Sequence, residues 1–174
     1  MKTRNRSFWL VLLVLALLLM VAVPVVAKTT TTPYTSIQIP NYFERWDFGT
    51  WTYPGNNVHV RGFFQVFDLE SSDPRTDGIG EATINGNWDS DFSGPMWGTN
   101  CLEVDADQDG VMDGVWEGTW TGYQGAAGEE SFIRNHVLHG VSGSVEGLKL
   151  KASIVFPADG SPSTVTGEIY EHDN

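Results

Sequence analysis

The stretch Leu148-Lys149-Leu150-Lys151-Ala152-Ser153-Ile154-Val155-Phe156 alternates apolar and polar side chains almost without interruption. In an extended chain the apolar side chains point to one face, and Lys149, Lys151 and Ser153 point to the other. This period of two predicts a β-strand with one face on a core and one face in water. Residues 80–88 and 115–123 show the same period. In the first of these segments the period places on one face Gly80, Ala82, Ile84, Gly86 and Trp88. In the second it places on one face Trp116, Gly118, Trp120 and Gly122.

The rest of the chain consists of short alternating segments separated by clusters of Gly, Asn, Asp and Pro, without a helical period of useful length. This pattern predicts an all-β fold. An open sheet of eight or nine strands would leave an exposed edge, so we expect a closed antiparallel β-barrel of about eight strands. A β-sandwich is the alternative. The predicted strands are residues 36–39, 43–53, 58–69, 80–88, 97–104, 115–123, 132–139, 144–156 and 164–170.

The amino-terminal segment is typical of an export signal. Lys2, Arg4 and Arg6 precede an almost wholly apolar run over residues 8–26, and Ala27 is an acceptable cleavage position. We therefore expect residues 1–27 to be a signal peptide and the protein to be secreted or displayed at the cell surface. The run is also long enough, at about nineteen residues, to anchor the chain in a membrane if it is retained.

The remaining chain divides simply. Residues 28–35, rich in Thr and Pro, are predicted to be a flexible spacer, and residues 36–174 a single barrel domain. Cys101 has no partner cysteine, so no intramolecular disulfide is possible.

The charge of the chain is strongly negative. The whole sequence carries a formal charge of −12, and without residues 1–27 it keeps seven basic and 22 acidic residues, a charge of −15. Such a field repels nucleic acid and anionic membrane surfaces and attracts cations. We expect neither nucleic acid nor, unless the signal segment is retained, a membrane as a partner.

The segment Asp105-Ala106-Asp107-Gln108-Asp109-Gly110-Val111-Met112-Asp113 is typical of a calcium-binding loop. Calcium takes six to eight oxygen ligands, and a loop can supply them from its first, third and fifth residues when the sixth is a glycine that permits a sharp turn. A solvated acidic turn is the alternative, because Asp and Gly also favour ordinary turns. The predicted metal ligands are Asp105, Asp107, Asp109, the carbonyl of Val111, and Asp113.

This loop resembles the calcium loops of dockerins and thrombospondin type 3 repeats in its first nine positions. It departs from the EF-hand at the twelfth position, where Trp116 stands in place of a bidentate glutamate and Glu117 lies one residue late. Its flanks also read as strands rather than helices. We therefore expect an acidic loop that connects a β-hairpin.

Two glycine-punctuated segments resemble the strand pairs of small calycin-like barrels related to allene oxide cyclase and dirigent proteins. They are residues 139–150, with Gly140, Gly143 and Gly147, and residues 116–122, with the pattern Trp-Glu-Gly-Thr-Trp-Thr-Gly. The resemblance covers about half of the exported chain. It implies a barrel that binds a hydrophobic small molecule or directs a cyclisation inside its cavity. No catalytic motif of those families matches, so no catalytic residue is assigned.

Several large or polar residues are candidates for lining a ligand pocket. Trp116 and Trp120 either form a pocket wall or belong to the core, and the general role of large aromatic residues in small β-domains favours the core. The polar candidates alternate with apolar residues on their strands. Because charged side chains are seldom fully buried, an outward orientation is favoured for these. The polar candidates are His59, Arg61, Arg134 and His136.

Three functions follow from these features. The first is a non-enzymatic exported binding protein with a calcium loop and a small hydrophobic or aromatic ligand. The second is a barrel isomerase or cyclase that acts on a small hydrophobic substrate. The third is a calcium-dependent surface or adhesion protein. The scarcity of catalytic motifs favours the first.

Overall fold

The structure, a computed structural model, describes residues 28–41 and 47–172. The predicted signal peptide and residues 43–46 of the strand predicted at 43–53 lie outside these residues. The described chain is all-β, as predicted, with a 3-10 helix at Pro74–Thr76. No helix in this part of the chain has the length and apolarity that a membrane crossing requires. The strands are β1 (Thr29–Pro40), β2 (Thr50–Thr52), β3 (Val58–Ser71), β4 (Gly78–Trp88), β5 (Gly94–Val104), β6 (Gly114–Gln124), β7 (Ser131–Gly143), β8 (Lys149–Phe156) and β9 (Ser163–His172).

The strands form one antiparallel sheet that closes on itself. Its order is β1-β9-β8-β7-β6-β5-β4-β3-β2, and β1 also pairs with β3. The first part of β1 lies along β9, and its last residues, from Ser36 to Pro40, lie along the end of β3. The short strand β2 pairs with the beginning of β3. The predicted closed barrel of eight strands is confirmed, with β2 as one additional strand.

The segment predicted to be a spacer belongs to the barrel, which corrects the sequence analysis. Thr29 to Thr35 lie in β1 and pair with β9. Threonine is β-branched and favours a strand, so the run of four threonines is compatible with this pairing. Pro33 lies where β1 has β9 as its only paired neighbour, a position at which a missing amide hydrogen is tolerated.

Two predicted strand boundaries also differ from the structure. The strand predicted at residues 43–53 is reduced, among the described residues, to β2 and an isolated bridge between Asp47 and Phe64. The strand predicted at residues 144–156 begins only at Lys149, because residues 144–148 form a turn. Gly143 and Gly147 have positive φ angles of 67° and 81°, which allow the chain to reverse there.

One end of the barrel is filled with large side chains. Trp116 is fully buried there, and its indole Nε1 donates a hydrogen bond of 2.7 Å to the carbonyl of Arg75 in the 3-10 helix. Arg75 is paired with Asp73 at 2.7 Å and with Glu171 of β9. The helix therefore covers this end, which we call the closed end. The other fully buried side chains packed in the same core are Leu102, Val104, Leu138, Val145, Leu150, Val165 and Ile169.

Close packing inside the barrel depends on residues without a side chain. A Cβ at Gly98 of β5 would lie 1.7 Å from the carbonyl oxygen of Thr83 and 2.7 Å from the Trp120 ring. A Cβ at Gly80 of β4 would lie 2.1 Å from the ring of Phe67. At both positions a glycine on one strand lies against an aromatic ring from the neighbouring strand. This close contact is compatible with the strong coiling of a small barrel.

Gly98→Ala is expected to destabilise the barrel by at least 2 kcal/mol, roughly the cost of overpacking a core, because the new methyl group collides with backbone that cannot move freely. Urea unfolding followed by tryptophan fluorescence measures this. Thr99→Ala, on the exposed outer face of the same strand, is the control and should change stability by less than about 0.5 kcal/mol. Equal stability of the two variants would contradict the packing described here.

Candidate functional site

The barrel interior is hollow at the end opposite the 3-10 helix. A cavity of about 540 Å³ opens where β3, β5, β7 and β9 begin. Its wall is mostly apolar, and the loops after β6 and β8 form its rim. The aromatic and aliphatic side chains that form most of the wall include Phe63, Phe67, Ile84, Trp88, Met96, Trp120, Ile133, Ile154 and Phe156.

A few polar side chains interrupt this wall. Gln38, Gln65 and Asn100 reach the cavity from β1, β3 and β5. In the part of the chain that the structure describes, no lysine, arginine or aspartate lines the cavity, and Glu129 on the loop after β6 is the only carboxylate that does. Sequence analysis did not identify Gln38 or Asn100. A detectable signal for Asn100 was its position between Gly98 and Leu102 on an otherwise apolar strand face.

His136 is the most unusual of these polar groups. It lies on β7 opposite Trp120 of β6 and Ala152 of β8, and its side chain is 7% exposed. Neither ring nitrogen has a hydrogen-bond partner among the described residues. Burial lowers the pKa of His136 to about 4, so the imidazole is neutral at pH 7 and offers one donor and one acceptor. The indole Nε1 of Trp88 is also buried without a partner.

A β-bulge turns His136 toward the cavity. Between Ile133 and His136, two residues of β7, Arg134 and Asn135, oppose a single residue of β8. The bulge keeps Ile133 and His136 on the inner face, although they are three positions apart. The outward orientation favoured for the polar candidates is therefore wrong for His136, because the bulge shifts the alternation of β7 by one residue, whereas Arg134 does face outward. Arg134 is exposed and lies over the ring of Phe132, 4.3 Å from its centroid.

The other polar pocket candidates lie outside the cavity. Arg61 is exposed, donates hydrogen bonds of 2.6 and 2.7 Å to the carbonyls of Val60 and Gly86, and lies 5.2 Å from the centroid of Trp97. His59 alternates with the buried Val58 and Val60 and so lies on the outer face of β3. The outward orientation favoured by sequence describes these residues.

Of the six candidates, two come together at the cavity. Trp120 lines the wall next to His136, and its indole nitrogen donates to the carbonyl of Thr99 at 3.3 Å. Trp116 is in the core at the closed end and does not line the cavity. Of the two inward-facing tryptophans of β6, Trp116 thus belongs to the core and Trp120 to the cavity wall.

The acidic loop, residues 105–113, connects β5 and β6 at the closed end. Asp105, Asp107 and Asp109 each place one carboxylate oxygen within 4.8 Å of the others, so the three together could hold a metal ion. Asp105 accepts hydrogen bonds from the amides of Asp109, at 3.0 Å, and Gly110, at 2.7 Å. Gly110 has a φ angle of +89°, which permits the turn expected at the sixth position.

The two remaining predicted ligands are arranged differently. Asp113 accepts a hydrogen bond of 2.6 Å from the hydroxyl of Ser144, which joins the loop to the turn after β7. It is not a member of the three-aspartate group. The side chain of Val111 is exposed, and its amide donates to Asp109 at 2.8 Å. Loss of hydration within the loop and the neighbouring charge of Asp109 raise the pKa of the Asp107 carboxyl, an effect that a bound cation would oppose.

The burial of neutral His136 makes stability depend on pH. Because the folded state holds the pKa near 4 and the unfolded state near 6.5, the unfolded state binds a proton first as the pH falls. The free energy of unfolding should therefore decrease by about 2 kcal/mol from this group between pH 7 and pH 5.

Urea titrations at the two pH values, on wild type and on His136→Gln, isolate this contribution. The glutamine variant should lose that part of the pH dependence, whereas His139→Gln, on the exposed face of the same strand, should retain it. The same loss of stability in wild type and His136→Gln would contradict a buried, neutral His136.

Comparison of the chain with protein-family models, with curated proteins and with solved structures finds no match in any of the three. The closed eight-stranded antiparallel barrel is compatible with a calycin-like barrel. Relation to allene oxide cyclase or dirigent proteins remains a prediction from the glycine-punctuated segments. The function must therefore be argued from the cavity and the acidic loop.

Proposed function

We propose that this protein is an exported binding protein whose barrel cavity holds a small, mostly apolar molecule. The observation that carries the proposal is the cavity itself. Its volume of about 540 Å³ lies within the range of roughly 300–1,000 Å³ that small-molecule sites occupy. Its wall combines many apolar side chains with a few polar groups, which is the usual composition of such sites.

The expected affinity follows from the area that the wall can cover. A ligand that buries about 250 Å² of apolar surface gains on the order of 6 kcal/mol from desolvation. Loss of translational and rotational freedom offsets part of that gain. Aromatic rings near the mouth, such as Trp88 with Trp51 packed edge-on at 5.7 Å, provide a rigid surface that loses little entropy on binding. These considerations support a dissociation constant on the order of 10⁻⁴ M for an aromatic probe of moderate size.

N-phenyl-1-naphthylamine, a neutral apolar fluorophore, should bind at one site per chain and brighten as it leaves water. Ala82→Phe should weaken this binding at least tenfold, because the inward-facing Ala82 lines the cavity and a phenyl group there would occupy part of it. Fluorescence titration measures both affinities.

Glu81→Phe is the matched control, since it adds the same ring to the exposed face of the same strand. It should bind the probe as wild type does. If Ala82→Phe, folded by circular dichroism, binds the fluorophore as tightly as Glu81→Phe, the probe is not in the barrel and the proposed function fails.

We also propose that the acidic loop binds calcium. Three convergent carboxylates support this second function, together with the amides that fix Asp105 and the glycine at the sixth position. The twelfth-position glutamate is missing, and Asp113 is engaged with Ser144, so the loop supplies fewer ligands than an EF-hand. The expected affinity is that of weak extracellular modules, on the order of 10⁻⁴–10⁻³ M. The barrel core does not pass through this loop, so calcium would add stability by linkage rather than create the fold.

Terbium bound in the loop should luminesce when tryptophan is excited, because Trp116 follows the loop closely in sequence, and calcium should displace it. Asp107→Asn and Asp109→Asn should each abolish the signal by removing a charged ligand. Asp159→Asn removes an exposed carboxylate from the loop between β8 and β9 and should leave the signal unchanged. Persistence of the luminescence in both loop variants would show that residues 105–113 are only an acidic turn.

A further inference from the structure

We propose that the ligand of the cavity is a neutral molecule with a largely apolar body and one hydroxyl or carbonyl group, and that His136 binds this group. The inference rests on the proposed function, since it concerns the same cavity. The observation behind it is that both ring nitrogens of a histidine 93% buried, on the cavity wall, have no partner among the described residues.

The contrast with other buried polar groups shows that this is unusual. The indoles of Trp116 and Trp120 donate to the carbonyls of Arg75 and Thr99. The hydroxyl of Ser131, at the start of the same strand as His136, accepts from the amide of Gly125 at 3.0 Å. A buried polar group without a partner costs free energy, because its lost hydration is not replaced. A ligand that supplies the missing hydrogen-bond partner recovers this cost. A ligand with one suitably placed polar group should therefore bind more tightly than an apolar ligand of the same shape.

The charges around the cavity select a neutral ligand. Among the residues that the structure describes, no lysine or arginine lines the wall, and Arg61 and Arg134 lie on the outer face. The imidazole is itself uncharged at neutral pH. A carboxylate ligand would lose its hydration without gaining a cation, in a protein whose formal charge is −12. An ammonium group would find only Glu129, on the rim loop, as a carboxylate among the lining residues.

The chemistry of neutral imidazole narrows the polar group further. One nitrogen donates and the other accepts, and no protein partner among the described residues fixes which is which. A carbonyl can accept from the N–H, whereas a hydroxyl can either accept from it or donate to the other nitrogen. The other buried donor without a partner among the described residues, Nε1 of Trp88, also belongs to a residue that lines the cavity.

Three probes of one size and shape test the inference: naphthalene, 2-naphthol and 2-naphthoate, each titrated at pH 7.5 by calorimetry or tryptophan quenching. Wild type should bind 2-naphthol about tenfold more tightly than naphthalene, and 2-naphthoate most weakly. In His136→Phe the ranking of these two probes should reverse: 2-naphthol should bind more weakly than naphthalene, because its hydroxyl would be buried without a partner. His139→Phe places the same ring on the exposed face of β7 and should rank the probes as wild type does.

The outcomes separate this inference from the proposed function. If none of the probes binds wild type, the cavity is not a ligand site and both fail. If naphthalene binds wild type and 2-naphthol has no advantage, or if 2-naphthoate binds most tightly, the cavity function stands and the assignment to His136 is wrong. A 2-naphthol preference that survives in His136→Phe also overturns the assignment. Should His136→Phe not fold, His136→Leu replaces it: loss of the 2-naphthol preference in that variant supports the assignment, and survival of the preference overturns it.

Discussion

Closure of the sheet by β1 is the constraint on which the rest of the structure depends. Because β1 pairs with β9 along its first part and with β3 along its last residues, the described sheet has an inside and an outside over its whole length. Alternate residues of every strand are then forced inward, whatever their size. Large inward residues such as Trp116 and Leu138 fill one end, whereas Ala82 and Gly98 face inward nearer the other end. The cavity follows from this uneven distribution of side-chain volume.

The polarity of the cavity is determined by a local irregularity. With uninterrupted alternation after Ile133, β7 would turn Asn135 inward and His136 to solvent. The two-residue bulge instead brings an imidazole into a wall of apolar side chains, while Arg134 lies outside, as alternation from Ile133 also requires. The exclusion of the positive charge matters as much as the inclusion of the neutral ring. A cavity with Arg134 inside would suit an anion, and the observed one suits a neutral molecule.

The sequence predicts the regular parts of this fold and misses what depends on distant pairing. The inward faces of β4, β6 and β8 follow from side-chain alternation alone, and so does the barrel. The strand character of Thr29–Thr35 depends on pairing with β9, more than a hundred residues away in sequence, and its local composition suggests a spacer. Bulges leave no simple local signature, so the direction of His136 was not predictable. The proximity of the three loop aspartates was predictable, because it depends only on their spacing within one short loop.

The two candidate sites lie at opposite ends of one barrel, and this arrangement determines how they can influence each other. The acidic loop follows the end of β5, and the cavity opens where β5 begins. Between them lie Leu102 and Trp116, both buried members of one hydrophobic core. The loop is tied to the closed end, through Asp113 to the backbone of Val104 at 2.8 Å and to Ser144. A cation bound in the loop should therefore affect the structure at the closed end. Ligand binding in the cavity should depend on the shape and polarity of the cavity wall.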